Sequence, residues 1–281
     1  DAHTVKFLLP RPFAPFLRSM STPILPKHLL EASVKDGTFN STWGVDVPVS
    51  QVVGTGPFQL AEYVSGQRVV LKRNPRYWKK DKEGRQLPFL DELVFAIVPN
   101  QDVSFLKFQE GELDLYDLRG ADYPLLKPKE QDGNFTVFRA GPSFGTTFLT
   151  FNQNTSVDPK TGKTVIAPQK LEWFTNVRFR QAVAHAIDKK SIIAIVYNGL
   201  AVPQDSSMSP SEGAFYTPDV KRYEYDTAKA KAILTQEGFK DSNGDGFLED
   251  PQGNTVEFSL LTNAGVTERG KMAEIIRKDL E

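Results

Sequence analysis

The spacing of apolar and polar positions changes several times along this chain, and each change predicts an element. His3–Leu9 reads as an opening strand, followed by a loop carrying Pro10, Pro12 and Pro15. A short helix is predicted near Pro26–Leu30, where a first-turn proline costs no hydrogen bond. Lys35–Ser50 is loop-like. At Gly54-Thr55-Gly56-Pro57 the chain must turn, because Pro57 excludes Gly56 from the helical region and the glycines supply backbone freedom. Phe58–Val64 and Arg68–Lys72 then form a predicted hairpin around Ser65-Gly66-Gln67. Asn74-Pro75-Arg76-Tyr77-Trp78 is a turn with two aromatics, and Lys79–Gln86 is a charged loop.

The run Leu93–Val98 is continuously apolar, as in a strand buried on both faces. Asp102 is the predicted cap of a helix reaching Glu110. Val103, Leu106 and Glu110 lie along one stripe of it, with Phe105 and Phe108 beside them, and Gly111 stops it. Leu113–Tyr116 resumes extended structure. Strand, helix and strand in succession predict a right-handed crossover in an α/β sheet. Ligands in such sheets sit beyond the carboxyl ends of the strands, which points to Pro99-Asn100 and Asp117-Leu118-Arg119. Phe135–Phe138 and Thr146–Phe151 read as further strands. Between them, Gly141-Pro142-Ser143-Phe144-Gly145 is a natural crossing segment and hinge. Helices are predicted from Asn176, from Asp188 to Tyr197 with Asn198-Gly199 as the stop, and from Asp226 to Gly238. A hairpin over Phe239–Thr262 and a helix at Met272–Glu281 complete the pattern. Both ends read as interior to a longer chain, so the lack of a visible leader says little about location.

Composition narrows the class. The chain has 281 residues, 40% hydrophobic and 25% charged, which suits one large or two ordinary domains. The net charge of −1, with signs interspersed, argues against a nucleic-acid partner. Zero cysteines exclude disulfides, thiolate metal sites and cysteine catalysis. No apolar run approaches the roughly 18 residues a membrane-spanning helix needs. Twenty Phe, eight Tyr and three Trp must supply a core, and aromatics also line clefts. Trp78 reads as packed beside Tyr77, whereas Trp43 and Trp173 fit either role.

The chemistry-bearing candidates are few. Asp241-Ser242-Asn243-Gly244-Asp245-Gly246 has alternating oxygen ligands Asp241, Asn243 and Asp245 with glycine at the sixth position, as calcium loops do. Position 12 is Gln252 and no helix follows, so the same residues also read as a hairpin turn of Asx and Gly residues. His3, His28 and His185 lie far apart and have no second ligand at metal spacing. No Gly-x-Ser-x-Gly elbow occurs, nothing singles out a carboxylate pair, and Gly54-Thr55-Gly56 lacks the rest of a phosphate loop.

Six motifs occur in one order: Ile24-Leu25-Pro26-Lys27-His28, Val53–Leu60, Asn74–Trp78, Glu110-Gly111-Glu112-Leu113-Asp114, Phe151-Asn152-Gln153, and Asn176–Val183 continuing to Ala186–Lys190. Together they resemble the family-5 extracellular solute-binding proteins, the oligopeptide- and dipeptide-binding components of ABC importers. The resemblance implies a periplasmic binding protein-like α/β fold of the class II, peptide-binding type, here a partial two-lobe fragment. Residues 1–52 correspond to the tail of the extra domain and a linker, 53–145 to the middle of lobe I, and 146–281 to the start of lobe II. The resemblance implies capture of a short peptide and delivery to a membrane permease, by a monomer without cofactor or catalysis. It implies a periplasmic or lipid-anchored location. Two contact segments carry over, Tyr116-Asp117-Leu118-Arg119 and Phe144-Gly145-Thr146-Thr147. The aspartate that pairs with a peptide's amino group falls outside the chain on that template. A sugar, nickel complex or haem is the alternative ligand, and a hydrolase is the alternative class.

Overall fold

The computed structural model describes residues 4–21 and 23–281. The chain divides into two compact units, one ending at Val98 and one running from Pro99 to Glu281.

The first unit holds three short helices, α1 (Phe16–Ser19), α2 (Lys27–Lys35) and α3 (Phe39–Thr42), and one three-stranded sheet. Pro26 stands at the N-cap of α2 instead of inside its first turn. The predicted hairpin is present: β1 (Phe58–Val64) pairs antiparallel with β2 (Arg68–Arg73), with a register shift between Leu60 and Glu62. Gly66 makes that turn at φ +70°, a conformation that favours glycine. β3 (Glu92–Ala96) pairs antiparallel with the other side of β2. Asn74 connects the two turn motifs. Its side chain donates to Gly56 O at 2.9 Å, its amide donates to Pro57 O at 2.8 Å, and its Oδ1 accepts from Arg76 N at 3.0 Å. The buried asparagine therefore fixes the Gly-Pro turn, and neither Gly54 nor Gly56 uses the left-handed region.

Several expectations need correction in this unit. Residues 4–9 form no strand, and His3 lies outside the described residues. β3 is an edge strand with Val94 and Phe95 exposed, not a strand buried on both faces. Its apolar run misled because continuity marks burial only where both faces are covered. Trp78 is 74% exposed, with its ring tilted against Tyr77 at 5.8 Å.

The second unit carries α4 (Gln101–Gln109), α5 (Tyr123–Leu126), α6 (Pro168–Thr175), α7 (Val177–Ala186), α8 (Lys189–Tyr197), α9 (Thr227–Gln236) and α10 (Thr267–Leu280). Asn100, not Asp102, caps α4: its Oδ1 accepts from Val103 N at 3.0 Å. Asp102 sits in the first turn, where its charge suits the helix dipole. The inner face of α4 carries Phe105 and Phe108, which pack on Tyr116, while Leu106 is exposed. The caps are Asn176 for α7, the predicted Asp188 for α8 and Asp226 for α9, each accepting backbone N–H bonds at the start expected for its helix. Asn198 ends α8 in the left-handed region. α6 was not anticipated: it is only eight residues long and runs directly into the cap of α7.

The expected βαβ crossover is absent among the described residues: β3 runs antiparallel to its neighbour, and Leu113–Tyr116 is not a strand. Phe135–Phe138 and Thr146–Phe151 are likewise outside any strand, and the expected hairpin at 239–262 shrinks to isolated bridges at Lys240–Glu249 and Glu249–Thr255. Several apolar side chains of these segments nevertheless pack inward. Leu149, Phe151, Val256 and Phe258 all face the core formed by Trp173, Phe174, Phe179, Val183 and Phe239. Each such large apolar side chain contributes about 1.5–3 kcal/mol on burial. A second cluster joins Ile192 and Val196 of α8 to Met272 of α10.

Candidate functional site

Both predicted contact segments lie in the second unit. Tyr116, Leu118 and Arg119 are half-buried and Asp117 is exposed. Tyr116 and Arg119 meet on Asp122, a residue that sequence reasoning missed. Tyr116 Oη donates to Asp122 Oδ2 at 2.5 Å. Arg119 grips the same carboxylate with two nitrogens, Nε to Oδ2 at 2.6 Å and Nη2 to Oδ1 at 2.8 Å. Its Nη1 reaches Asp102 Oδ1 in the first turn of α4 at 2.6 Å. The side chains of Arg119 and Asp122 are 8% and 4% exposed. A fork-to-fork pair of this kind is among the stronger charge-assisted contacts.

Burial and then the adjacent Asp122 carboxylate push the Tyr116 phenol well above its ordinary range. The hydrogen bonds that Arg119 donates to Asp122 raise its guanidinium further, against its own burial. Both groups hold their protons throughout the ordinary pH range, as their donor roles require. The rings of Phe105 and Phe108 cover Tyr116, at centroid distances of 6.2 and 5.5 Å. Without the crossover, Pro99-Asn100 and Asp117–Arg119 do not lie at the carboxyl ends of parallel strands, and it is the family resemblance that marks Tyr116–Arg119 as a contact segment.

The second segment is open. Phe144 is 69% exposed, Gly145 and Thr147 are exposed, and Thr146 is half-buried. Its approach is anchored from the Ser209–Ser211 turn: Ser209 Oγ donates to Ser143 O at 2.6 Å, and Ser211 Oγ donates to Pro142 O. Gly141 stands at φ +87°. No hydrogen bond or ring contact among the described residues joins this segment to Tyr116–Arg119.

The Asp241–Gly246 loop is closed by its own backbone. Asp241 accepts from Gly244 N at 2.7 Å and Gly246 N at 3.0 Å, Asn243 from Asp245 N at 2.8 Å, and Asp245 from Phe247 N at 2.8 Å. Glu249, also missed, is buried and accepts from Ser242 N at 2.7 Å and Asn243 Nδ2 at 3.1 Å. One oxygen each of Asp241, Asp245 and Glu249 lies within 4.8 Å of the others, whereas Asn243 spends its side chain on the loop. His185 is buried, with Nδ1 2.6 Å from Glu224 O and its ring edge-on to Tyr223, which is a packing role.

Comparison with known proteins places the chain in a class of solute-binding proteins. The family model for bacterial extracellular solute-binding proteins, family 5 Middle, matches residues 1–281, and the chain belongs to that family. It is 31% identical to the dipeptide-binding protein of Escherichia coli over 99% of its length and 45% of that protein's. It is 28% identical to the haem-binding protein A of Haemophilus influenzae, covering 99% of this chain and 44% of the other. The structure of the oligopeptide-binding protein AppA from Bacillus subtilis, in complex with a nonapeptide, matches with a TM-score of 0.65. Identity there is 28%, over 92% of this chain and 46% of that one. The fold is therefore that of part of a periplasmic oligopeptide-binding protein, and the chain spans less than half the length of these relatives. Members of this family are solute-binding transport proteins. Among the described residues, no helix is long and apolar enough to cross a membrane.

Proposed function

We propose that this chain forms part of a receptor that captures short peptides outside the cytoplasm and presents them to an ABC importer permease. The observation that carries the reading is the family match along the whole chain, supported by peptide-binding relatives at 28–31% identity. In this reading residues 1–52 are the tail of the extra domain, 53–145 the middle of lobe I, and 146–281 the start of lobe II. Gly141–Gly145 is the hinge. Asp117, Leu118 and the Phe144–Thr147 segment face the ligand. Hinge closure encloses the peptide, backbone groups satisfy its main chain, and apolar pockets take its side chains. No bond of the ligand is made or broken. The receptor works as a monomer, free in the periplasm or lipid-anchored at the cell surface.

Haem is the second reading, favoured by the 28% identity to a haem-binding relative. Native mass spectrometry of the protein purified from its own source separates the two. Bound masses of two to six amino acids support the peptide reading. A porphyrin mass, or turnover of added peptides, overturns it.

A further inference from the structure

We propose that Asp122 is a positioning residue, whose buried carboxylate clamps Tyr116 and Arg119 together and so sets the shape of the segment that meets the ligand. This rests on the reading above, in which Asp117 and Leu118 face the solute.

Three donor atoms from the segment converge on this one carboxylate: Tyr116 Oη, Arg119 Nε and Arg119 Nη2. Asp122 stands at the N-cap of α5, where an aspartate ordinarily accepts from the helix's first amides. Here its side chain makes no cap bond and is spent on the segment instead. The segment needs such a device. It belongs to no strand or helix, so no backbone ladder fixes its path.

The other anchors surround the same four residues. Phe105 and Phe108 hold the Tyr116 ring, and Asp102 holds the outer nitrogen of Arg119. Gly120 follows at once and lies against α8. A Cβ there would meet Tyr197 Cα at 2.6 Å, and Asn198 Nδ2 donates to Gly120 O at 2.9 Å. Both ends of the segment are thus tied down, and the exposed Asp117 is the side chain presented between them.

The clamp also reassigns two roles. Arg119 already satisfies two carboxylates, Asp102 and Asp122, and Tyr116 donates its only proton to the second of them. Their polar ends are committed inside the protein, so they act on the ligand by placing Asp117 and Leu118. A buried ion pair of this kind adds little net stability but strongly disfavours arrangements that leave one charge alone.

The test uses the native full-length polypeptide, with an equimolar mixture of di- to hexapeptides as probe in titration calorimetry. Asp122→Ala and Asp122→Asn are each expected to weaken binding by about tenfold or more, since each breaks bonds to a charged group. Asp122→Asn keeps the side chain's size, so its loss does not report a cavity. Asp250→Ala removes another buried carboxylate of the same unit and is the control: its melting temperature falls while its affinity stays within about twofold. Should the Asp122 variants fail to fold, Asp102→Asn trims the clamp from its exposed end and is expected to weaken binding about threefold. Unchanged affinity in the folded Asp122 variants, or an equal loss in Asp250→Ala, overturns the positioning role while peptide binding stands. A wild-type protein that ignores the mixture overturns the peptide reading, and the positioning role falls with it.

Discussion

Replacing Asp250 by alanine should be among the most damaging single changes in the second unit. Asp250 is 4% exposed and Trp173 is 3% exposed. Trp173 Nε1 donates to Asp250 Oδ2 at 2.9 Å, across 77 residues of chain. The other oxygen accepts from Gln252 N at 3.0 Å and Asn254 N at 2.8 Å, which shapes the turn leading to Val256 and the core. Alanine leaves the indole N–H buried without an acceptor. That desolvation, with the loss of a bond to a charged group, costs about 3 kcal/mol. Urea unfolding followed by far-ultraviolet circular dichroism measures it. Trp173→Phe removes the orphaned donor, so the double variant should recover about 1–2 kcal/mol of the summed single losses. The pH dependence has a definite sign. Burial pulls the Asp250 carboxyl upward, but hydrogen bonds from Asn254, Trp173 and Gln252 outweigh it and hold the group below the usual carboxylate range. A lowered folded value means stabilisation that is complete above the unfolded value, about 3.9, and fades as pH falls through the folded one. Wild-type stability should therefore drop more steeply below about pH 4 than that of Asp250→Ala. A loss under about 1 kcal/mol at neutral pH, or identical acid slopes, would refute the reasoning.

The remaining predictions concern other parts of the chain. Gly120→Ala places its Cβ 2.6 Å from the Tyr197 backbone, which cannot yield as a side chain would, and should cost about 1–3 kcal/mol in urea unfolding. Phe179→Ala, at the centre of the larger core, should cost about 3–5 kcal/mol. The Asp241–Gly246 loop closes with its own amides, so the melting temperature should be the same in EDTA and in millimolar calcium; a rise of several degrees with calcium would make it a cation site. The 281-residue chain alone should bind the di- to hexapeptide mixture more weakly than about 1 μM, since it spans less than half its relatives' length; tighter binding by calorimetry would contradict this.

What could be read from the sequence follows from the range of each signal. Helix caps act over three residues: Asp188 is the cap expected of it, and Asn176 and Asp226, read as helix starts, are the caps of theirs. The Asp102 error was a slip of two positions between neighbouring capping residues, Asn100 and Asp102. The β1–β2 hairpin is also local, closed by a three-residue turn. Strands elsewhere depend on a neighbour's backbone. The composition of Thr146–Phe151 and of residues 239–262 suggests strands, and Leu149, Phe151, Val256 and Phe258 of these segments pack on the core. Composition could not supply a pairing partner, and no ladder forms there among the described residues.

The site shows the same division more sharply. The motifs brought Tyr116 and Arg119 forward as ligand contacts, because sequence spacing reports which residues share a segment. It does not report which of their atoms remain free. That depends on Asp122 and Asp102, three and seventeen positions from Arg119, and only the folded chain shows both carboxylates on one guanidinium. A residue can therefore sit in a family's contact segment and still spend every polar atom inward. For this chain the sequence locates the segment, and the hydrogen-bond network decides which side chains of it remain to meet a ligand.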